Sequence, residues 1–112
     1  MEPDRISIDE LKRRMGRNEQ IVFIDARSPQ AYEESDLQIP GSVRVAPDDA
    51  ETRVDEIPRH GLIVPYCTAR HEKSSARVAR VIREDGYLDV KPLLGGLNAW
   101  MDAGLPTQPK FD

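Results

Sequence analysis

Two short apolar runs constrain this chain more than any other feature in it. Ile21-Val22-Phe23-Ile24 and Leu62-Ile63-Val64-Pro65-Tyr66 are uninterrupted and bounded by polar residues. A strand with one wet face alternates apolar and polar side chains, whereas an unbroken run reads as a strand covered on both faces, the habit of parallel sheets. Helical patterns recur around these runs. Ser7-Ile8-Asp9-Glu10 is a capping box that opens a helix carrying Leu11 and Met15 and ending near Gly16. Ser28-Pro29 supplies a cap and a first-turn proline for a short helix through Tyr32. Val43-Arg44-Val45 is a brief strand after the turn Pro40-Gly41. From Ser75 to Asp85 the period is helical, with Val78, Val81 and Ile82 on one face, Ala76 and Ala79 beside them, and Gly86 as the stop. Val90 to Leu94 reads as another short strand, in which Pro92 marks an edge or an end. Gly95-Gly96 opens a last helix with Leu97, Trp100 and Met101 on one stripe, closed by Gly104 and Pro106. Strands alternating with helices at such intervals predict an α/β domain with a mostly parallel sheet.

Composition narrows the class. A length of 112 residues predicts a single domain over 1–112, with no room for two cores. Leu, Ile, Val and Phe make up 26 of the 112 residues, only slightly above the level at which charged chains stay disordered, so the core must be economical. One cysteine excludes an internal disulfide and, with two histidines, leaves no spaced ligand set for a structural metal. The start, Met1-Glu2-Pro3-Asp4, is neither basic nor apolar, and no apolar run approaches the ~18 residues a membrane span needs. A net charge of −4 argues against nucleic acid and anionic membranes as partners. These features predict a small, soluble, cytoplasmic domain with no metal or cofactor.

In parallel sheets, ligands bind beyond the carboxyl ends of strands. Two strands end there in useful residues, Asp25 after Phe23-Ile24 and Cys67 after Tyr66. Cys67 opens the loop Thr68-Ala69-Arg70-His71-Glu72-Lys73, which leads into a helix. Such a loop can turn backbone N–H groups inward, and the helix end adds positive potential, so a thiolate or bound anion is favoured. A buried structural thiol is the alternative, because unbridged cysteine is among the most buried residue types. The strand-to-loop junction among polar residues favours a reactive one. Arg70 and His71 read either as electrostatic partners of the sulfur or as solvated loop residues, and Glu72 opposes an incoming anion. From Cys67 to Arg83 there are five basic residues against one acidic residue, so the acidic chain carries a basic segment starting at its only thiol. Asp25 and Arg27 read as a structural ion pair supporting the site. His60 reads as a surface residue at the far end of its strand, and Trp100 as core.

Taken together, these segments resemble the rhodanese-like sulfurtransferase family over nearly the whole chain. The resemblance rests on Asp25-Ala26-Arg27, on Ile39-Pro40-Gly41-Ser42-Val43, on Cys67 after Val64-Pro65-Tyr66, and most specifically on Gly95-Gly96-Leu97-Asn98-Ala99-Trp100-Met101-Asp102-Ala103-Gly104-Leu105-Pro106. It implies a three-layer α/β domain with a five-stranded, mainly parallel central sheet flanked by helices. Cys67 would take a sulfane sulfur from a small-molecule donor (thiosulfate, polysulfide or persulfide) and pass it to an external thiol, cyanide or a protein acceptor. Backbone N–H groups from Thr68 through Lys73 would stabilise the anionic sulfur. With no second cysteine, the persulfide cannot close to an internal disulfide, so the acceptor must come from outside. The chain departs from the family pattern at Glu72, where the loop often ends in Arg, at Gln38 before Ile-Pro-Gly, and in a loop without glycine. A weakly catalytic binding or sensing module is the competing reading. A cysteine phosphatase is disfavoured because Lys73, a point charge, stands where a planar guanidinium is needed.

Overall fold

The computed structural model describes residues 5–68 and 73–110. Ser7 caps helix α1 (Ile8–Gly16), its Oγ accepting from the N–H of Glu10 at 3.1 Å. Strand β1 (Ile21–Asp25) follows, then α2 (Pro29–Glu33), capped by Ser28, whose Oγ accepts from the N–H of Ala31 at 3.2 Å. Next come β2 (Leu37–Gln38), β3 (Val43–Arg44) and a short helical stretch centred on α3 (Ala50–Arg53). Strand β4 (Leu62–Tyr66), α4 (Lys73–Glu84), α5 (Gly96–Asp102) and β5 (Gln108–Pro109) complete the chain.

The central sheet has three strands in the order β3-β1-β4, all parallel, with Phe23 opposite Val64 and Asp25 opposite Tyr66. This corrects the expectation of five strands. Of the two remaining segments, 90–94 lies beside β4 and the one at Ile6 lies beside 90–94, each through a single parallel bridge, Ile63 to Val90 and Ile6 to Leu93. Backbone chemistry explains the difference. Ile63 accepts from Lys91 and donates to Asp89, and Pro65 O accepts from Leu93 at 2.9 Å. The next rung needs an N–H from residue 65, which proline lacks. Pro92 likewise has no N–H for the outer segment, and Ser7 immediately turns that segment into α1. Outside the sheet, β2 and β5 form an antiparallel pair.

The apolar runs serve two cores at once. On β4, Leu62, Val64 and Tyr66 point to one face, against Leu11, Leu97 and Trp100, while Ile63 points to the other, with Ile24, Val78 and Ile82. Period-two alternation therefore sends neighbouring apolar residues to opposite faces, each covered by helices. Burying each of these side chains contributes about 1.5–3 kcal/mol. Trp100 packs edge-on against Phe23 at 5.2 Å and donates from Nε1 to Pro106 O at 2.7 Å. Met101, expected on the same stripe, is instead 39% exposed.

Candidate functional site

The parallel register brings Asp25, Arg44 and Tyr66 to one end of the sheet, where β4 runs directly into Cys67. Cys67 is buried, at 4% exposure. Ser75, on the first turn of α4 and wholly buried, donates from Oγ to Cys67 Sγ at 3.6 Å. The sulfur thus sits at the positive end of a twelve-residue helix. Lys73 is the exposed first residue of that helix, and Thr68 is exposed beside Cys67. Ala69, Arg70, His71 and Glu72 lie outside the described residues.

The N-terminal end of α5 fixes the carbonyls of Cys67 and Thr68. Leu97 N–H donates to Cys67 O at 2.7 Å, and Asn98 N–H donates to Thr68 O at 2.9 Å. Gly96 makes this approach possible. It adopts φ +60°, and a Cβ there would fall 2.4 Å from Cys67 O. The glycine pair that marks a helix start in the sequence is therefore also the point where α5 touches the backbone of Cys67 and Thr68.

Below the site lies a charged network. Arg27, wholly buried, donates from Nε to Asp25 Oδ1 at 2.9 Å and from Nη2 to Asp25 Oδ2 at 2.7 Å, with Nη2 also reaching Leu37 O at 2.9 Å. Nη1 is buried without a hydrogen-bond partner among the described residues, and the Tyr32 and Tyr66 rings flank the guanidinium at 5.3 and 5.9 Å. Burial opposes the Arg27 charge, but the bonds and charge of Asp25 outweigh it and hold the group above its ordinary range. Arg44 behaves oppositely. Its burial pulls it down and outweighs the opposing attraction of Asp25, whose Oδ1 stands 3.6 Å away, while Nη1 donates to the carbonyls of Asp25 and Arg27.

Tyr66 connects this network to the Ile39–Ser42 turn. Its Oη accepts from Ile39 N–H at 3.2 Å and shares a 3.0 Å hydrogen bond with Ser42 Oγ. Burial, reinforced by Asp25, pushes the Tyr66 phenol up to about 12. Beside Thr68 a cleft of ≈ 440 Å³ opens between Arg27, Ala31, Asn98 and Met101. A larger hollow of ≈ 600 Å³ lies at the other end of β4, where exposed His60 faces Tyr87 and Asp89, remote from the thiol. Among the described residues, no three His, Cys, Asp or Glu side chains group as metal ligands, and no helix is long and apolar enough to cross a membrane.

Sequence reasoning missed Ser75 as a sulfur contact, Gly96, Leu97 and Asn98 as the frame of the loop, and Arg44 and Tyr66 as members of the network. The double glycine and the tyrosine directly before Cys67 were the available signals.

A thiol at the carboxyl end of a parallel strand, framed by two helix N-termini over a buried Asp–Arg pair, defines a class. Residues 7–103 match the family model described as "Rhodanese-like domain", and the chain belongs to that family. It is 28% identical over 103 residues to a sulfurtransferase of Allochromatium vinosum, covering 92% of each chain. It is 27% identical over 121 residues to the adenylyltransferase and sulfurtransferase MOCS3 of Arabidopsis thaliana, spanning 96% of this chain but 26% of that protein. In structure it resembles the rhodanese-like domain of an Anabaena protein, with a TM-score of 0.74 at 23% identity over 95% of this chain and 79% of that one.

Proposed function

We propose that this protein is a sulfurtransferase in which Cys67 carries a sulfane sulfur as a persulfide. The donor is a small molecule such as thiosulfate, polysulfide or a low-molecular-weight persulfide, and the acceptor is an external thiol, cyanide or a protein. The observation that carries this reading is the placement of Cys67 Sγ at the first turn of α4, in hydrogen-bond contact with Ser75. A helix N-terminus favours an anionic sulfur, the nucleophilic form. Thr68 through Lys73 supply the remaining stabilisation of the outer sulfur in this reading, with Asp25 and Arg27 holding the floor of the site. The single cysteine makes an external acceptor necessary.

The test is intact-mass analysis of reduced protein after incubation with thiosulfate or polysulfide, before and after cyanide or thiol is added. One added sulfur, removed by the acceptor and missing from Cys67→Ala, is the expected result. Failure of every donor to add sulfur would sink the enzyme reading. It would leave the binding or sensing module, which the low exposure of Cys67 favours.

A further inference from the structure

We infer that Ser75 is a catalytic residue acting on the discharge half of the cycle, as the hydrogen-bond donor that accepts Cys67 Sγ as a leaving group. This rests on the sulfur-transfer reading above. The observation is a wholly buried hydroxyl on α4, 3.6 Å from Sγ and donating to it. A serine inside a helix ordinarily faces solvent or caps an end. This one is buried on the same helix as Val78, Ala79 and Ile82, and its hydroxyl meets the sulfur of the chain's single cysteine.

The direction of the contact determines which step it serves. During loading, the Cys67 thiolate attacks the sulfane sulfur of the donor. The Sγ–S bond forms, and the bond between that sulfur and the rest of the donor breaks, its electron pair leaving with the donor remnant. The negative charge now resides on the outer sulfur, while Sγ is neutral. During discharge by cyanide, carbon attacks the outer sulfur and a C–S bond forms. The Sγ–S bond breaks, its electron pair returns to Sγ, and thiocyanate departs. A donor fixed on Sγ bonds weakly to the neutral inner sulfur and strongly to the thiolate. Ser75 therefore stabilises the discharged state relative to the persulfide, and lowers the barrier to a step in which charge develops on Sγ.

The experiment compares wild type, Ser75→Ala and Ser75→Thr. Pre-formed persulfide is discharged with cyanide while thiocyanate release is followed. In parallel, the reduced thiol is alkylated with iodoacetamide across a range of pH. In Ser75→Ala, discharge and neutral-pH alkylation both slow about tenfold, the scale of one hydrogen bond to a charged group. The alkylation profile moves to higher pH, and the persulfide-bearing fraction at steady state rises. Ser75→Thr, which keeps the hydroxyl, recovers the discharge rate. Unchanged discharge in Ser75→Ala, with wild-type circular dichroism and thermal midpoint, would overturn the assignment. If no donor loads the wild-type protein, sulfur transfer itself fails, and alkylation alone then reports on the contact: slower alkylation in Ser75→Ala retains Ser75 as a donor to Sγ, and equal rates remove it.

Discussion

Gly96 stands against Cys67 so closely that a single added carbon at residue 96 would lie 2.4 Å from the Cys67 carbonyl oxygen. The atoms it would meet belong to the backbone of Cys67 and Thr68, so no side chain can swing aside to relieve it. Gly96 also adopts φ +60°, a conformation costly for residues with a Cβ. Gly96→Ala should therefore lower stability by about 2–4 kcal/mol, combining strain with a displaced α5. Chemical denaturation measures the loss, and Cys67 alkylation should become faster as the thiol is uncovered.

The buried pair of Asp25 and Arg27 gives a second expectation. Removing one partner leaves the other charge buried, which costs about 3–5 kcal/mol, whereas removing both costs less than the sum. Asp25→Asn and Arg27→Met should each destabilise strongly, and the double variant should be more stable than additivity predicts. Urea unfolding of the four proteins closes the cycle. Additive losses would mean that the two groups act independently.

A pH expectation follows from Tyr66. Its phenol titrates at about 12 when folded, against an ordinary value of 10.0. A group whose folded pKa is raised contributes stability that is fully present below its unfolded pKa and is lost as pH climbs through the folded one. Stability should therefore hold up to about pH 10 and decline between about pH 10 and 12 by up to about 3 kcal/mol. Burial also raises Tyr87, which adds to the decline. Tyr66→Phe should be less stable at neutral pH, because Ile39 N–H loses its acceptor, but flatter in that alkaline window. Denaturation midpoints across the range provide the check.

Ser7 caps α1 through its hydroxyl, directly after Ile6, which bridges Leu93. Ser7→Ala should cost about 1 kcal/mol, within the usual range for a lost cap. The cap bonds only within α1, Ser7 Oγ to Glu10 N–H, so thermal unfolding should shift while thiol alkylation of the folded protein stays the same.

The elements legible in the sequence are those whose signals are local. Ser7 and Ser28 announce their helices because a cap and its N–H partner lie three residues apart. The runs at Ile21 and Leu62 announce covered strands because alternation cannot produce them. The number of strands was not legible. It turns on the missing N–H of Pro65, whose effect depends on which side of β4 that position faces. The pair β2–β5 was equally hidden, since Leu37-Gln38 and Gln108-Pro109 carry no strand pattern and join residues some seventy positions apart. At the site, Cys67, Asp25 and Arg27 stood out by their positions at strand ends. Ser75 did not, because its approach to the sulfur depends on the path of the intervening loop. Arg44 was read only as part of a strand, and its place over Tyr32 at 4.1 Å comes from the pairing of β3 with β1.

The bonds from Leu97 and Asn98 to the carbonyls of Cys67 and Thr68 also impose an order in time. The thiol is synthesised thirty residues before the amides that hold its backbone. A nascent chain that has emerged only as far as α4 carries the sulfur without its frame, and docking of α5 is the event that sets it. The setting of the Cys67 backbone is in this way tied to the docking of α5, so a chain stopped or clipped before α5 presents that cysteine without the bonds to its carbonyl.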